Sequence, residues 1–330
     1  MIKFLKDHLN LIVIIAFAYV YAVMIFVVPT GYSVIAPGGL TPLEESFVID
    51  GHEVSDDFYT IYVYAYDPLT AFQYFMLHDD PRMNIYQSTE REQVTTPSES
   101  IAQGKLQKTS SFELALINAY EQASLTDPSI SIDYTFEGLY INDYPRRIEA
   151  LKIGDIIIAI NGIQAQTMSD KDFKDLAYQE HVTYTVDRDG DIFDYVYDED
   201  EDDLSFWFYP SFTINDANPS FELPGLNNNV GGPSGGLLQT LSIYASLLDI
   251  NFDDIKIAGT GTINSDGTIG RIGGIQQKII TADYLGVNLF FIPQSHLTEI
   301  SGLQYSFDVV PVSTIEEALI RLLEYADDLD

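Results

Sequence analysis

From Leu9 to Val28 the chain is almost wholly apolar, broken only by Asn10 and two tyrosines, and no other feature limits so strongly what the chain can fold into. Such a run has the length of a helix that crosses the roughly 30 Å hydrocarbon core of a bilayer at about 1.5 Å per residue. It is too long for the central region of a signal peptide, and Val27-Val28-Pro29-Thr30 offers no small-residue cleavage site, so a retained anchor is expected. Lys3 and Lys6 precede the run, and no Lys or Arg follows it until Arg82. By the positive-inside rule the amino terminus is cytoplasmic and everything after about Pro29 is outside, with the membrane as a partner through this helix.

The 330 residues leave room for two modest domains beyond this segment. A formal charge of -34 excludes nucleic acid as a partner, because the chain repels phosphate backbones. With no cysteine there is no disulfide framework, thiol nucleophile or thiolate metal site, so folding rests on cores that the 46% hydrophobic content permits. That fits a Gram-positive cell surface.

The pattern predicts a mixed, α+β or α/β chain in four parts. Residues 1–29 form the tail and anchor, and residues 30–128 an extracytoplasmic region carrying no recognisable chemistry. In that region Tyr59 to Tyr66 alternates as a strand, Ser110 to Ala123 has helical spacing, and Ser88 to Ser100 reads as a polar loop. Residues 129–203 form a small β-rich module. Its strands are expected over 137–141, 156–160, 181–186 and 192–197, with a helix opened by Ser169 and turns at Asn161-Gly162 and Asp187-Arg188-Asp189-Gly190. The six acids Asp198 to Asp203 close it, most simply as a solvated linker, since the run lacks the spaced ligands and glycine of a calcium loop. Residues 204–330 alternate strands (206–212, 255–258, 289–292) with helices (from Gly235, and 275–285) and end in a helix capped by Ser313 and Glu316.

Ala150-Leu151-Lys152-Ile153-Gly154-Asp155-Ile156-Ile157, followed by Ile160-Asn161-Gly162, resembles the PDZ domains of bacterial proteases. That resemblance implies binding of extended peptides by strand addition at a sheet edge beside a helix. The charged stretch Tyr144 to Glu149, with Arg146 and Arg147, departs from the small residues usual before Ala150, and the peptide-groove residues are not readable.

Two local sequences in the last part carry chemistry. Ser234 stands in Gly231-Gly232-Pro233-Ser234-Gly235-Gly236, directly before an apolar helix pattern. A helix amino terminus there offers unpaired N–H groups and a favourable dipole for developing negative charge, and the glycines leave room for a substrate backbone. Taken alone, the segment is also an ordinary turn with a helix cap. Lys278 shares a helix stripe with Ile275, Ala282 and Leu285, widened by Ile279, which directs its amine toward apolar surface. Desolvation lowers a lysine pKa and suits it to take a proton from a serine, whereas a lysine at a stripe edge can also snorkel to water.

Gly232 to Leu237, then Ala258-Gly259-Thr260-Gly261-Thr262, then Gly267 to Lys278 together resemble the proteolytic domain of Lon-type proteases. The resemblance implies a Ser-Lys dyad of Ser234 and Lys278, with Thr260 as the threonine whose hydroxyl assists the lysine. Gly235 replaces the usual alanine, a small-for-small change expected to be tolerated, and the chain has no Gly-x-x-x-x-Gly-Lys-[Ser/Thr] phosphate loop for an ATP-driven unfoldase. Anchor, PDZ-like module and Lon-type domain in this order are similar to the membrane-anchored PDZ-Lon proteases of Gram-positive bacteria, a group that includes a surface protease processing a competence pheromone. Peptide or unfolded protein substrates, ATP-independent serine endopeptidase activity and no cofactor or metal are then expected, with a homo-oligomer left open. Gly-x-Ser-x-Gly also occurs in α/β-hydrolase esterases, but that elbow needs a preceding apolar strand and a downstream histidine. Leu223 to Val230 holds Pro224 and three asparagines, and His296 is the sole later histidine. A non-catalytic peptide-binding surface protein is the other alternative, disfavoured by retention of serine, lysine and threonine together.

Overall fold

Helix α1 (Leu9–Phe26) forms from the apolar run, and none of its residues is buried by the rest of the protein. Its 18 residues span about 27 Å, with a mean hydropathy of 2.5. By length and composition it can cross a membrane. The computed structural model describes residues 8–145, 147–198, 206–227, 232–252 and 255–327. Lys3, Lys6, Arg146, the acids 199–203 and Gly231 therefore lie outside the described residues. The chain divides into two compact units, Met1–Gly38 with Val63–Thr95, and Gly39–Tyr62 with Thr96–Asp330.

The first unit holds α1, the start of β1 (Tyr32–Pro42), the end of β2 (Phe58–Tyr66), helix α2 (Ala71–Leu77) and β3 (Asn84–Gln87). β1 and β3 pair antiparallel, with Tyr32 opposite Gln87 and Ile35 opposite Asn84.

The second unit is built around two large sheets, with helices packed between and around them. Helix α3 (Pro97–Ser124) is twice as long as spacing alone predicts, and the polar stretch 88–100 is largely helical instead of looped. The reason is local. Thr89 with Glu92 and Thr96 with Glu99 form two capping boxes, the second followed by Pro97 in the first turn, where a missing N–H costs nothing.

One sheet is antiparallel. It contains β4 (Ser131–Asp143), β5 (Ile156–Ile160), β6 (Val182–Arg188), β7 (Asp191–Tyr197) and β8 (Trp207–Asn218) in the order β8-β4-β5-β6-β7. Helix α4 (Asp170–Ala177), between β5 and β6 in the chain, is capped by Ser169, whose hydroxyl accepts the Asp172 N–H. Gly138 lets β4 cross β5 closely: at φ +148° a side chain is strained, and a Cβ there would lie 2.1 Å from Ile157 O. The Asp187 to Gly190 turn forms as read, with Gly190 N–H on the Asp187 carboxylate and φ above +50° at both Asp189 and Gly190. Sequence pattern assigns 206–212 to the carboxy-terminal α/β part, but β8 pairs with β4 from Trp207 opposite Asp143 to Asn218 opposite Ser131.

The second sheet is parallel where it carries the site. β9 (Ile257–Gly259) lies between β2, paired through Phe58 to Thr60, and β10 (Leu289–Pro293), which in turn pairs with β11 (Asp308–Val312). Both faces of its central strands are buried, as parallel strands require. Ile257, Leu289 and Phe291 face the core containing helix α5 (Gly236–Leu247) and much of α3. Ala258, Phe290 and Ile292 face helix α6 (Ile275–Tyr284). Helix α7 (Ile315–Asp327) follows, and its cap is shifted by one residue from expectation. Thr314 Oγ1 accepts the Glu317 N–H while Glu317 reaches back to the Ser313 N–H, because the helix starts at Ile315.

Candidate active site

The turn that holds Ser234 is fastened to the end of β9. Ser234 O accepts the Gly261 N–H at 2.8 Å and the Thr260 hydroxyl at 3.1 Å, while Leu237 N–H donates to Gly261 O at 3.1 Å. Helix α5 starts at Gly236, so Ser234 stands two residues before its first turn. At the neighbouring position an alanine methyl would meet Thr60 Cγ2 at 3.1 Å and Gln239 Nε2 at 3.3 Å, close contacts that explain why glycine suits position 235.

Lys278 comes in from α6, one turn beyond Gly274, whose left-handed conformation (φ 68°) opens the helix. Its neighbours Ile275, Ile279 and Ala282 are buried against the parallel sheet, which carries Lys278 inward with them. The Lys278 side chain is only 2% exposed, and its Nζ lies 3.0 Å from Ser234 Oγ and 2.8 Å from Thr260 Oγ1. Burial pushes the ammonium pKa down to about 7, since removal from water penalises the charged form. Thr260, itself fully buried, both accepts from the lysine and donates to Ser234 O. All three residues read from the sequence are thus in mutual hydrogen-bond range.

His296, the base required by an esterase reading, is engaged elsewhere. It is 1% exposed, its Nε2 accepts the Ile272 N–H at 3.0 Å and its Nδ1 lies 3.1 Å from Glu299 Oε1. Burial lowers its pKa, which keeps the acceptor nitrogen free of a proton. With Arg271 donating to Ser295 O at 2.9 Å and to the Glu299 carboxylate, and Gln276 donating to Glu299 O at 3.0 Å, it clamps the loop before α6. Among the described residues no group of three or more His, Asp and Glu side chains is placed to hold a metal ion.

Helix α3 supplies contacts that pattern reading missed. Gly232 N–H donates to Gly104 O at 3.1 Å, and the buried Ser111 hydroxyl reaches Gln239 Oε1 at 2.9 Å and Pro233 O at 3.4 Å. The available signal was a polar residue on an otherwise apolar helix face: Gln239 interrupts the α5 pattern, and Ser110-Ser111 interrupts that of α3. Buried polar groups of this kind need partners.

Residues 223–325 match the family model of the Lon protease (S16) C-terminal proteolytic domain. The chain is similar to the Lon protease of Methanosarcina barkeri, at 27% identity over 118 residues that make up 34% of this chain and 15% of that protein. It is also similar to Lon protease 1 of Syntrophobacter fumaroxidans, at 28% identity over 122 residues, 37% of this chain and 13% of the relative. Lon protease 2 of Bacillus subtilis is 31% identical over 98 residues, 28% of this chain and 17% of the relative. The chain thus spans less than a fifth of the length of these curated relatives. The part of the chain that brings Ser234, Thr260 and Lys278 together is thus the part that matches the Lon protease C-terminal proteolytic domain, a serine endopeptidase domain.

Proposed function

We propose that this chain is a membrane-anchored endopeptidase that cleaves extracytoplasmic peptides or unstructured protein segments through Ser234 and Lys278, without ATP. The reading rests foremost on one observation, the buried Lys278 Nζ 3.0 Å from Ser234 Oγ, where burial disfavours its proton. In the neutral amine one N–H is directed to Thr260 Oγ1, whose own proton points to Ser234 O. The amine lone pair then faces the serine hydroxyl. Lys278 takes that proton as Ser234 Oγ forms a bond to the scissile carbonyl carbon, and the carbonyl electron pair moves onto oxygen. Gly236 and Leu237 N–H groups are engaged by Pro233 O and Gly261 O, whereas the amides of Ser234 and Gly235 donate to no partner among the described residues and serve to hold the oxyanion. On collapse the C–N bond breaks and Lys278 protonates the leaving amine; water then releases the acyl product by the reverse proton path.

Residues 1–29 serve as tail and anchor with the amino terminus inside, 30–128 as an extracytoplasmic region, 129–203 as a PDZ-like module with its acidic linker, and 204–330 as the proteolytic domain. The PDZ-like module recruits or gates extended substrates. Its antiparallel sheet, with α4 between β5 and β6 in the chain, supports that role, although the chain's own β8 takes one edge of β4. Strand addition would then use β7, the opposite edge of the sheet.

The test is cleavage of unstructured peptides by full-length protein in vesicles, compared with Ser234→Ala and Lys278→Ala forms. Loss of cleavage in both variants supports the assignment. Undiminished cleavage in Ser234→Ala, or activity that vanishes with His296→Ala while surviving Lys278→Ala, overturns it. Peptides that accumulate outside cells carrying Ser234→Ala, identified by mass spectrometry, would define the substrate.

A further inference from the structure

Helix α2 has seven residues, and Phe72, Phe75 and Met76 recur on it at i, i+3 and i+4, forming one stripe. In a water-soluble unit that stripe would face a core. Here it faces outward: Phe72 is 41% exposed, Phe75 69% and Met76 60%. A helix of two turns barely repays its nucleation cost in water, so it depends on whatever covers its apolar side.

The chain fastens this helix to the end of α1. Thr70, its amino-terminal cap, forms a β-bridge with Pro29, and both the N–H and the hydroxyl of Thr30 donate to Leu69 O at 2.8 Å. The Phe26 and Phe72 rings lie 4.7 Å apart, and Tyr74 packs on Tyr32 at 5.0 Å. Phe26, Val27 and Val28 are themselves exposed. Apolar surface therefore continues from the last turn of α1 through the Phe26–Phe72 contact onto the α2 stripe. Aromatic residues at the end of a spanning helix sit at the level of the lipid headgroups, where a ring has both apolar and polar surroundings.

We propose that α2 lies flat in the interfacial layer of the membrane entered by α1, with Phe72, Phe75 and Met76 inserted beside the upper acyl chains. The inference rests on the reading of α1 as an anchor. Its chemistry is that of apolar burial in lipid and not of charge attraction. The helix is followed by Asp79 and Asp80, the latter paired with Arg82 at 2.7 Å, and no Lys or Arg occurs between Lys6 and Arg82. The chain is thus held at two adjacent points, which restrains the first unit from swinging freely on a single span.

The absence of cysteine makes a direct test available. Single-cysteine forms Phe75→Cys and Met76→Cys on α2, Phe17→Cys within α1, and Glu90→Cys as an exposed position off both helices are labelled with an environment-sensitive fluorophore. Each full-length protein is reconstituted in phosphatidylcholine vesicles containing lipids spin-labelled at the headgroup or at mid-chain. The proposal expects quenching at 75 and 76 by headgroup labels several-fold above that at 90, quenching at 17 by mid-chain labels, and no increase at 75 when anionic lipid is added. If 17 is quenched but 75 and 76 behave like 90, the anchor stands and the interfacial helix is disproved. If 17 is not quenched either, the anchor reading fails and this inference fails with it.

Discussion

In the mechanism proposed above, a single desolvated amine at Lys278 sets the pH behaviour of the site. Its pKa is lowered to about 7 by burial, so below that value the ammonium has no lone pair for the Ser234 proton. The logarithm of kcat/KM should therefore rise with pH at about unit slope below pH 7 and level off above it, in peptide-cleavage assays across the range. Lys278→Arg keeps a cation that cannot deprotonate, and should lose that limb together with roughly a thousandfold or more of activity. His296 behaves otherwise. The buried ring accepts the Ile272 N–H of the loop leading to Lys278. His296→Ala should lower unfolding stability by about 1–3 kcal/mol in urea melts, the cost of an unpaired buried N–H. The limb near pH 7 should persist, because the proton acceptor is unchanged.

At the scale of elements, α3 is the support on which the turn holding Ser234 rests. Ser111 bonds Gln239 and Pro233 on either side of Ser234, and Gly104 O takes the Gly232 N–H. Removing one such hydroxyl leaves the serine and lysine in place but loosens the turn that aims them, and small misplacements of reacting atoms are costly in rate. Ser111→Ala should reduce kcat about tenfold with KM little changed and a melting shift of only a few degrees, whereas Ser111→Thr, which retains the hydroxyl, should recover part of the loss. Kinetics and thermal melts of the same preparations separate this positioning effect from general destabilisation. α3 was half legible in the sequence. Its apolar spacing shows, yet its first three turns are polar on most faces and are specified by the Thr96–Glu99 capping box.

For the whole molecule, the matched stretch 223–325 does not contain its own fold. β9 is flanked by β2 through Phe58 to Thr60, and α5 packs with α3, both from the part of the sequence that shows no chemistry. A fragment of residues 204–330 should therefore be poorly folded and inactive, whereas residues 39–330 should be soluble and cleave peptides, as judged by circular dichroism and a peptide assay. Equal activity of the short fragment would contradict this account. The apolar run, the glycine-flanked serine and the lysine stripe are short patterns whose meaning depends on neighbours a few residues away, so all three could be read from the chain alone. The strands 156–160 and 289–293, bounded by turn residues and strongly apolar, were legible for the same reason. That β8 runs along β4, that β2 lies beside β9, and that Ser111 meets Gln239 across 128 residues emerged from long-range packing. Those choices depend on which distant surfaces bury each other best, and that competition among alternative pairings leaves no periodic mark along a single chain.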